Sequence, residues 1–194
     1  MRTAEGLGPE ESFERQVDFG MFGLVPSWAD LKLARSTYNA RTETIAIKPS
    51  FRTAWRRRQF CVIPVENFFE PTYESGKAVR WQIQHADGIP LAVAGLWEWR
   101  PNGGPDDHPL VSFTMLTINA DEHPLMKRFH KPEDEKRMIV LLEPEQIDEW
   151  LQAPLEAAPT YLRPYAEKLL AEPAPKAARM SKIEKESEPD GELF

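Results

Sequence analysis

The stretch Leu91-Ala92-Val93-Ala94-Gly95-Leu96-Trp97-Glu98-Trp99 decides the fold of this chain. It is almost wholly apolar around Gly95, and a continuous apolar run between turn sequences is typical of a strand buried on both faces. Turn-forming residues lie on both sides of it, in Ala86-Asp87-Gly88 and in Pro101-Asn102-Gly103-Gly104-Pro105. We therefore predict that this stretch is the central strand of a sheet.

Shorter strand-like runs surround the central strand. The run 79–84 alternates apolar and polar residues with a period of two, which predicts a half-buried strand. Further strands are predicted over 17–26, 60–64, 112–118 and 138–142. Helices are fewer, and we expect them over 51–58 with Ser50 as the N-cap, over 144–151 with Pro144 in the first turn, and over 165–171. These elements predict an α+β domain that is mainly β, with a curved or barrel-like antiparallel sheet and a few short helices.

The composition excludes several classes of protein. The chain has 194 residues, 24 Lys and Arg against 31 Asp and Glu, and one cysteine, so its net charge is −7. This length suits one domain with its own core, predicted over 1–171, followed by a disordered tail over 172–194 that is rich in proline and charge. A single cysteine excludes an intramolecular disulfide, and no apolar run is long enough to span a membrane. The first residues do not resemble a secretory signal, so a cytoplasmic location is expected.

Positive charge is concentrated in one segment of this acidic chain. Residues 30–58 contain eight Lys and Arg but only two acids, a net charge of +6. Binding to a polyanion requires a local concentration of this kind, and a solvated helix face beside acidic neighbours is the alternative. Trp28 and Trp55 lie in or beside this segment, where aromatic rings could stack on nucleic-acid bases, although we expect Trp55 on the buried face of its helix.

Four polar residues next to apolar runs are candidates for chemistry, namely Asn39, Glu70, His130 and Arg137. Glu70 directly follows Phe68-Phe69, and a desolvated carboxyl has a raised pKa that suits proton transfer. A histidine near such a carboxyl could move protons or stabilise an oxyanion. Each residue also has a structural interpretation: a solvent-facing strand end for Glu70, a hydrogen-bonded loop for His130 and a turn for Asn39.

No metal or cofactor is expected. The chain has no HExxH, no close Cys/His pair, no dinucleotide-binding glycine pattern and no P-loop. Cys61, the only thiol, lies between Phe60 and Val62, so we expect it to be buried and inert. A nucleophilic role for this thiol is the less favoured alternative.

Seven stretches resemble, in order, the motifs of the SOS-response-associated peptidase (SRAP) family. They are Phe22-Gly23-Leu24-Val25-Pro26-Ser27-Trp28-Ala29 (WGLIPSWA in the family), Asn39-Ala40-Arg41-Thr42-Glu43-Thr44 (NARAET), Lys48-Pro49-Ser50-Phe51-Arg52 with Arg56-Arg57-Arg58-Gln59-Phe60-Cys61-Val62-Ile63-Pro64 (KPSFR…RRRRCLIP), Asn67-Phe68-Phe69-Glu70-Pro71 (GFYEW), Ala94-Gly95-Leu96-Trp97-Glu98 (AGLWE), Phe113-Thr114-Met115-Leu116-Thr117 (FTIIT), and His130 followed by Arg137-Met138 (H-x-RMP). Because the order is kept over most of the chain, the resemblance is far more specific than any one motif.

This resemblance implies a sensor of abasic sites in single-stranded DNA. The family nucleophile is a cysteine that becomes the N-terminal residue, and its amine and thiol capture the aldehyde of the abasic sugar as a thiazolidine. By motif position, Asn39 would hold the N-terminal residue or the sugar, Glu70 would transfer protons, and His130 would assist ring opening or release. DNA contacts are implied for Arg41 and Arg137 on phosphates, for Trp28 with Pro26 and Ser27 as a wedge, and for Arg52 in the basic segment.

The chain departs from the family pattern at its front and in one loop. Residue 2 is Arg2, and 21 residues precede Phe22, so we expect about forty residues of the family's front segment, with the nucleophile, to be missing. The expected explanations are a start assigned too far downstream, a truncated chain, or a genuinely short protein. Residues 131–136 are an insertion between His130 and Arg137.

Three functions remain open at this point. The first is binding of abasic sites in single-stranded DNA by a monomer, with covalent capture and autoproteolytic activity only where a longer native chain supplies an N-terminal cysteine. The second is a catalytically inactive module that binds single-stranded DNA. The third is a conventional cysteine protease with Cys61 and His130, ranked last because Cys61 is expected to be buried. A β-rich domain without a DNA role is the remaining alternative.

Overall fold

The computed structural model describes residues 1–3, 14–165 and 168–175. Within these ranges lie twelve strands: β1 Arg2–Thr3, β2 Arg15–Gln16, β3 Met21–Phe22, β4 Asn39–Arg41, β5 Phe60–Val65, β6 Phe68–Thr72, β7 Val79–His85, β8 Leu91–Arg100, β9 Leu110–Asn119, β10 Arg137–Ile139, β11 Leu141–Leu142 and β12 Leu169–Pro173. The helices are α1 Arg52–Arg56, α2 Gln146–Gln152 and four 3₁₀ turns at Leu31–Ser36, Pro105–Asp107, Met126–Arg128 and Ala158–Tyr161. These bounds confirm a mainly β fold with a few short helices.

The strand β8 is the centre of the larger sheet, as the sequence predicts. It pairs antiparallel with β5 along one edge and with β9 along the other, and its side chains at Val93 and Leu96 are fully buried. Gly95 makes this packing possible. A Cβ atom at this position would lie 2.5 Å from Ile63 Cδ1 and 2.6 Å from the Thr114 carbonyl oxygen, so a larger residue does not fit without a shift of its neighbours.

The strands β8 and β9 are paired from Gly95 to Arg100 and separate on the N-terminal side of Gly95, where the segment 137–142 lies between them. There β10 pairs with β9 and β11 pairs with β8. Val140 links the two, since its N–H donates to the Leu116 carbonyl (2.8 Å) and its carbonyl accepts from the Ala94 N–H (2.9 Å). The other edge of β9 pairs in parallel with β3 and β4. Within the described residues the sheet is therefore mixed, with mostly antiparallel pairs, and does not close into a barrel.

A smaller antiparallel sheet has the strand order β12-β7-β6. The prediction of a helix over 165–171 is wrong, because Leu169 and Ala171 pack on the core while Leu170 faces outward, which is the alternation of a strand. The strand continues through Pro173, past the predicted start of the tail, and residues 176–194 of that tail lie outside the described residues. A backbone bridge between Thr72 and Phe129 ties this sheet to the loop before β10.

The two α-helices differ slightly from their predicted bounds. Phe51, rather than Ser50, precedes the first residue of α1, and its buried side chain has no polar atom with which to cap the helix. In α2, Trp150 is fully buried, stacks on Phe60 at a ring distance of 4.3 Å and donates its indole N–H to the Cys61 carbonyl. The strand predicted over 17–26 is reduced to the two residues of β3. None of the helices in the described part of the chain is long and apolar enough to cross a membrane.

Candidate functional site

Glu70 and His130 face each other at the junction of the two sheets. Glu70 lies on β6, and its Oε2 is 3.7 Å from His130 Nε2, with about a fifth to a quarter of each side chain exposed. The His130 backbone N–H donates to the Pro71 carbonyl (2.9 Å), and Nε2 lies 2.9 Å from the Arg137 carbonyl oxygen. Because a carbonyl oxygen only accepts hydrogen bonds, Nε2 carries a proton in this contact. The imidazole is thereby held in one orientation beside the carboxyl group.

The backbone of His130 is in the left-handed region, with φ 65°. This conformation costs energy for a residue with a Cβ atom, so the surrounding contacts must hold it in place. The two contacts described above, from its N–H and from its ring, supply that hold. The contacts of His130 therefore offset the cost of its backbone conformation and hold its ring next to Glu70.

Burial raises the pKa of the Glu70 carboxyl, and the nearby His130 partly opposes this rise. On the same side of β6 lies Phe68, and Trp81 of β7 is the cross-strand neighbour of Glu70. Phe69 instead points to the opposite side of the strand, where Arg80 lies 3.3 Å above its ring. The sequence-based expectation of a desolvated carboxyl is thus met, with only one of the two preceding phenylalanines on the carboxyl side. A carboxyl group with a raised pKa suits proton transfer.

Arg137 binds two carboxylates at once. Its guanidinium donates to Glu43 (2.8 and 3.0 Å) and to Glu135 (2.8 Å), and also to the Thr117 carbonyl (2.7 Å). Only 12% of the Arg137 side chain is exposed. Hydrogen bonds from Arg137 lower the pKa of both Glu43 and Glu135, so both are anionic at neutral pH. The insertion before Arg137 does not displace it from the sheet, because it opens β10 opposite Asn119.

Arg41 joins the same network from β4. Its guanidinium donates to Glu135 Oε2 at 2.8 Å, while Glu135 Oε1 contacts Arg137 and the Asn119 amide. Asn39 lies two residues before Arg41 in β4, on the same face of the strand, and is exposed. Among the described residues, no hydrogen bond or ion pair joins the Asn39 side chain to Glu70 or His130. The structure therefore links Arg41, Arg137, His130 and Glu70 through contacts and places Asn39 beside Arg41.

The remaining predicted DNA-binding residues lie apart from this network. Trp28 is 66% exposed in a turn closed by a hydrogen bond from the Ala29 N–H to the Pro26 carbonyl; Ser27 is exposed in the same turn, whereas Pro26 is buried. Arg52 is exposed in the first turn of α1. No contact among the described residues connects either Trp28 or Arg52 to Glu70 or His130.

Glu43, Glu135 and Asn119 belong to the site but were not predicted from the sequence as site residues. Glu43 lies in the stretch 39–44 that resembles a family motif, so its position offered a signal. Glu135 lies in the insertion, and its contacts with Arg41 and Arg137 depend on how the loop folds back onto the sheet. No sequence pattern indicates such a contact.

Cys61 is separate from this site. It is buried on β5, and burial raises its pKa to about 12, so the thiol is neutral at physiological pH. It borders a cavity of about 260 Å³ lined mainly by apolar side chains, including Ile63, Trp97 and Phe113. The Met1 amine donates to the Val62 carbonyl and so lies beyond β5, with β5, β8 and β9 between it and Asn39. In the part of the chain that the structure describes, no group of three His, Cys, Asp or Glu could hold a metal ion.

The chain resembles known proteins in sequence. The family model described as SOS response associated peptidase (SRAP) matches residues 3–185. The abasic site processing protein YoaM of Bacillus subtilis is 34% identical over 145 residues, which cover 73% of this chain and 59% of that protein. The abasic site processing protein HMCES of Gallus gallus is 25% identical over 180 residues, 79% of this chain and 51% of that protein. The chain thus spans about three-fifths or less of the length of these curated relatives.

The fold also matches solved structures. A crystal structure of a Bordetella bronchiseptica protein has a TM-score of 0.72 and 40% sequence identity, covering 80% of this chain and 75% of that one. A Bacteroides thetaiotaomicron protein shares the fold at 23% identity, with a TM-score of 0.67 and coverage of 80% and 68%. The family model spans nearly the whole sequence, from residue 3 to residue 185. This chain belongs to the SOS response associated peptidase family.

Proposed function

We propose that this protein binds abasic sites in single-stranded DNA as part of a DNA-damage response. The observation that carries the proposal is the pairing of Glu70 with His130 directly beside the backbone of Arg137. This arrangement places a candidate proton-transfer pair next to an arginine whose guanidinium we assign to phosphate binding, a combination that suits recognition of an opened sugar within a DNA strand. Membership of a family whose relatives are named abasic site processing proteins supports the same function.

Each site residue has a proposed task. Glu70 transfers protons at the sugar, and His130 assists opening of the sugar ring or release of the product. Arg41 and Arg137 bind the phosphates beside the lesion, since guanidinium groups pair well with phosphate oxygens. Asn39 orients the sugar from the exposed face of β4. At neighbouring positions of the DNA strand, Trp28 acts as a wedge with the turn at Pro26 and Ser27, and Arg52 adds a phosphate contact from the basic segment.

Covalent capture and self-cleavage are proposed only for a form of this protein that carries an N-terminal cysteine. Its amine would condense with the sugar aldehyde to an imine with loss of water, and its thiol would then add to the imine carbon to close a thiazolidine. Cys61 is unsuited to this role because its thiol is buried, neutral and not attached to a free amine. For the same reason a conventional protease built on Cys61 is not supported.

Binding of fluorescent oligonucleotides tests the non-covalent proposal. The probes are a single strand with one tetrahydrofuran abasic analogue, the same strand without the lesion, and the matching duplex. We expect the abasic strand to bind more tightly than the other two, and binding of all three to weaken as salt rises. Equal affinity for the abasic and intact strands would instead indicate a module that binds single-stranded DNA without lesion recognition. Binding that does not respond to salt would contradict the phosphate contacts.

A pair of arginine variants tests the proposed phosphate contact. Arg41→Gln should weaken binding about tenfold and reduce the slope of log affinity against log salt by about 1. Arg35→Gln is the matched control, because Arg35 is exposed in the 3₁₀ turn Leu31–Ser36 and its loss changes the charge equally. Equal effects of the two variants would mean that only overall charge matters and that Arg41 has no special place on the strand.

A further inference from the structure

Glu135 lies between the two arginines to which phosphate binding was assigned above. Its Oε2 accepts from Arg41 at 2.8 Å and its Oε1 accepts from Arg137 at 2.8 Å, so one carboxylate bridges guanidinium groups from two different strands. The Asn119 amide contacts the same Oε1 at 3.3 Å. With Glu43 on the far side of Arg137, the two positive and two negative charges of this cluster sum to zero. In this state the arginines present little net charge to an approaching strand.

A carboxylate in this position satisfies the same donors as a DNA phosphate would. Both groups offer oxygen atoms about the right distance apart to accept from the forked N–H groups of arginine, and both carry negative charge. Glu135 comes from the loop 131–136, whose residues 131–135 are exposed. The contact is therefore made by a surface loop that reaches over to the sheet, not by a residue fixed in the core.

We propose that Glu135 occupies the place of a DNA phosphate between Arg41 and Arg137, so that the loop 131–136 inhibits strand binding until DNA displaces this carboxylate. This inference rests on the proposed function and names a control element of the same site. It makes Glu135 a competitor of the substrate, and not a contributor to binding.

The surroundings favour the release of Glu135 over the release of Arg137. The side chains of Arg41 and Glu135 are 56% and 38% exposed, and ion pairs this exposed are weak and screened by salt. Arg137 is held independently by Glu43 and Thr117, so it keeps its orientation when Glu135 leaves. The base of the loop also stays anchored, because Lys136 N–H donates to Asp121 and the Lys136 carbonyl accepts from the Ala120 N–H. Because Glu135 directly precedes this anchored residue, only its side chain needs to turn away from the two arginines.

Two charge-matched variants of the loop test the proposal with the abasic single strand as the probe. Glu135→Gln should bind the strand about fivefold more tightly than wild type at low salt, because the competing charge is gone. Glu133→Gln removes the same charge from the same loop, but Glu133 makes no ion pair among the described residues, so its effect should be about twofold or less. Equal effects of the two variants, or weaker binding by Glu135→Gln, would overturn the proposal, the latter because it would show that Glu135 helps to position the arginines.

A double variant separates this inference from the proposed function. In an Arg41→Gln background, Glu135→Gln should gain less than half of the improvement seen in the wild-type background, since the two residues share one contact. If Glu135→Gln improved affinity equally in the wild-type and Arg41→Gln backgrounds, the competition between Glu135 and phosphate would be overturned while the proposed DNA binding would stand. Failure of every form, including Glu135→Gln, to bind any single strand would instead overturn the proposed function together with its control element.

Discussion

Gly95→Ala tests whether the centre of the sheet is packed as tightly as the contacts indicate. The added Cβ atom would meet Ile63 Cδ1 at 2.5 Å, the Thr114 carbonyl oxygen at 2.6 Å and Cys61 Sγ at 2.9 Å. Ile63 can rotate away, but the Thr114 carbonyl belongs to the ladder between β8 and β9 and cannot move without loosening it. The cost therefore falls in the upper part of the range for overpacked cores, about 2–3 kcal/mol.

An opposing effect comes from the unfolded chain. Alanine restricts the unfolded backbone more than glycine does, and this raises the free energy of unfolding by about 0.4–1 kcal/mol. The net loss in the free energy of unfolding is then about 2 kcal/mol, and for a domain of this size the melting temperature should fall by about 4–8 °C. Urea unfolding followed by tryptophan fluorescence measures the free energy, and calorimetry measures the melting temperature.

Two further variants show whether the clash itself is the cause. In Gly95→Ala/Ile63→Val the most severe side-chain contact is removed, so part of the lost stability should return. Gly76→Ala is the control without a clash, because nothing lies within 4 Å of its Cβ position and only its left-handed backbone costs energy, about 1 kcal/mol. A melting temperature for Gly95→Ala within about 1 °C of wild type would refute the packing argument.

Three other predictions concern the site and the core. Because burial raises the Glu70 pKa, the folded protein binds that proton more tightly than the unfolded chain, so the free energy of unfolding should fall as pH rises from the ordinary glutamate pKa of about 4.3 through the raised value. Glu70→Gln should remove this fall, which urea titrations at a series of pH values measure. If the free energy of unfolding of wild type and Glu70→Gln depended on pH in the same way, the carboxyl would not be desolvated. Glu43 behaves in the opposite sense, since the hydrogen bond from Arg137 lowers its pKa. Its contribution to the free energy of unfolding is present above the ordinary glutamate pKa and is lost as pH falls through the lowered pKa. Stability of Glu43→Gln should therefore be less sensitive to acid than that of wild type in an acid-unfolding curve. Trp150→Phe should cost about 2 kcal/mol in urea unfolding, because it removes the indole hydrogen bond to the buried Cys61 carbonyl and opens space beside it; a loss under about 0.5 kcal/mol would mean that the hydrogen bond is dispensable.

Local sequence was enough to predict the elements whose burial is uniform along the chain. The apolar run around Gly95 is the central strand, and the alternation over 79–84 lies within β7. Prediction from local sequence failed over 165–171, where Tyr-Ala-Glu-Lys-Leu-Leu-Ala favours a helix by intrinsic propensity. Pairing of β12 with β7 overrides that preference, and the paired residues lie between 84 and 92 positions apart in the chain.

The residues of the candidate site could be predicted from the sequence only where their environment depends on neighbours in the chain. Glu70 could be singled out because its desolvation follows from its immediate neighbours, and His130 because it is a polar residue close to a predicted apolar strand. The pairing of Arg137 with Glu43 joins residues 94 positions apart, and the pairing of Arg41 with Glu135 spans the same distance. Contacts of this kind depend on how β4, β9 and β10 meet, so no local pattern contains them.

The loop 131–136 has a consequence for how this protein could diversify. Its first neighbour, His130, is tied to β6, and its last neighbour, Arg137, is tied to β9, so both ends stay fixed whatever lies between them. Lengthening a closed loop adds little entropy cost, which makes this position tolerant of insertions and deletions. Loop exchange at this position could therefore retune the ionic strength at which the protein engages its ligand without touching the acid–imidazole pair. Under the proposed function, the residue that limits affinity and the proton-transfer pair would then lie on separate parts of the chain.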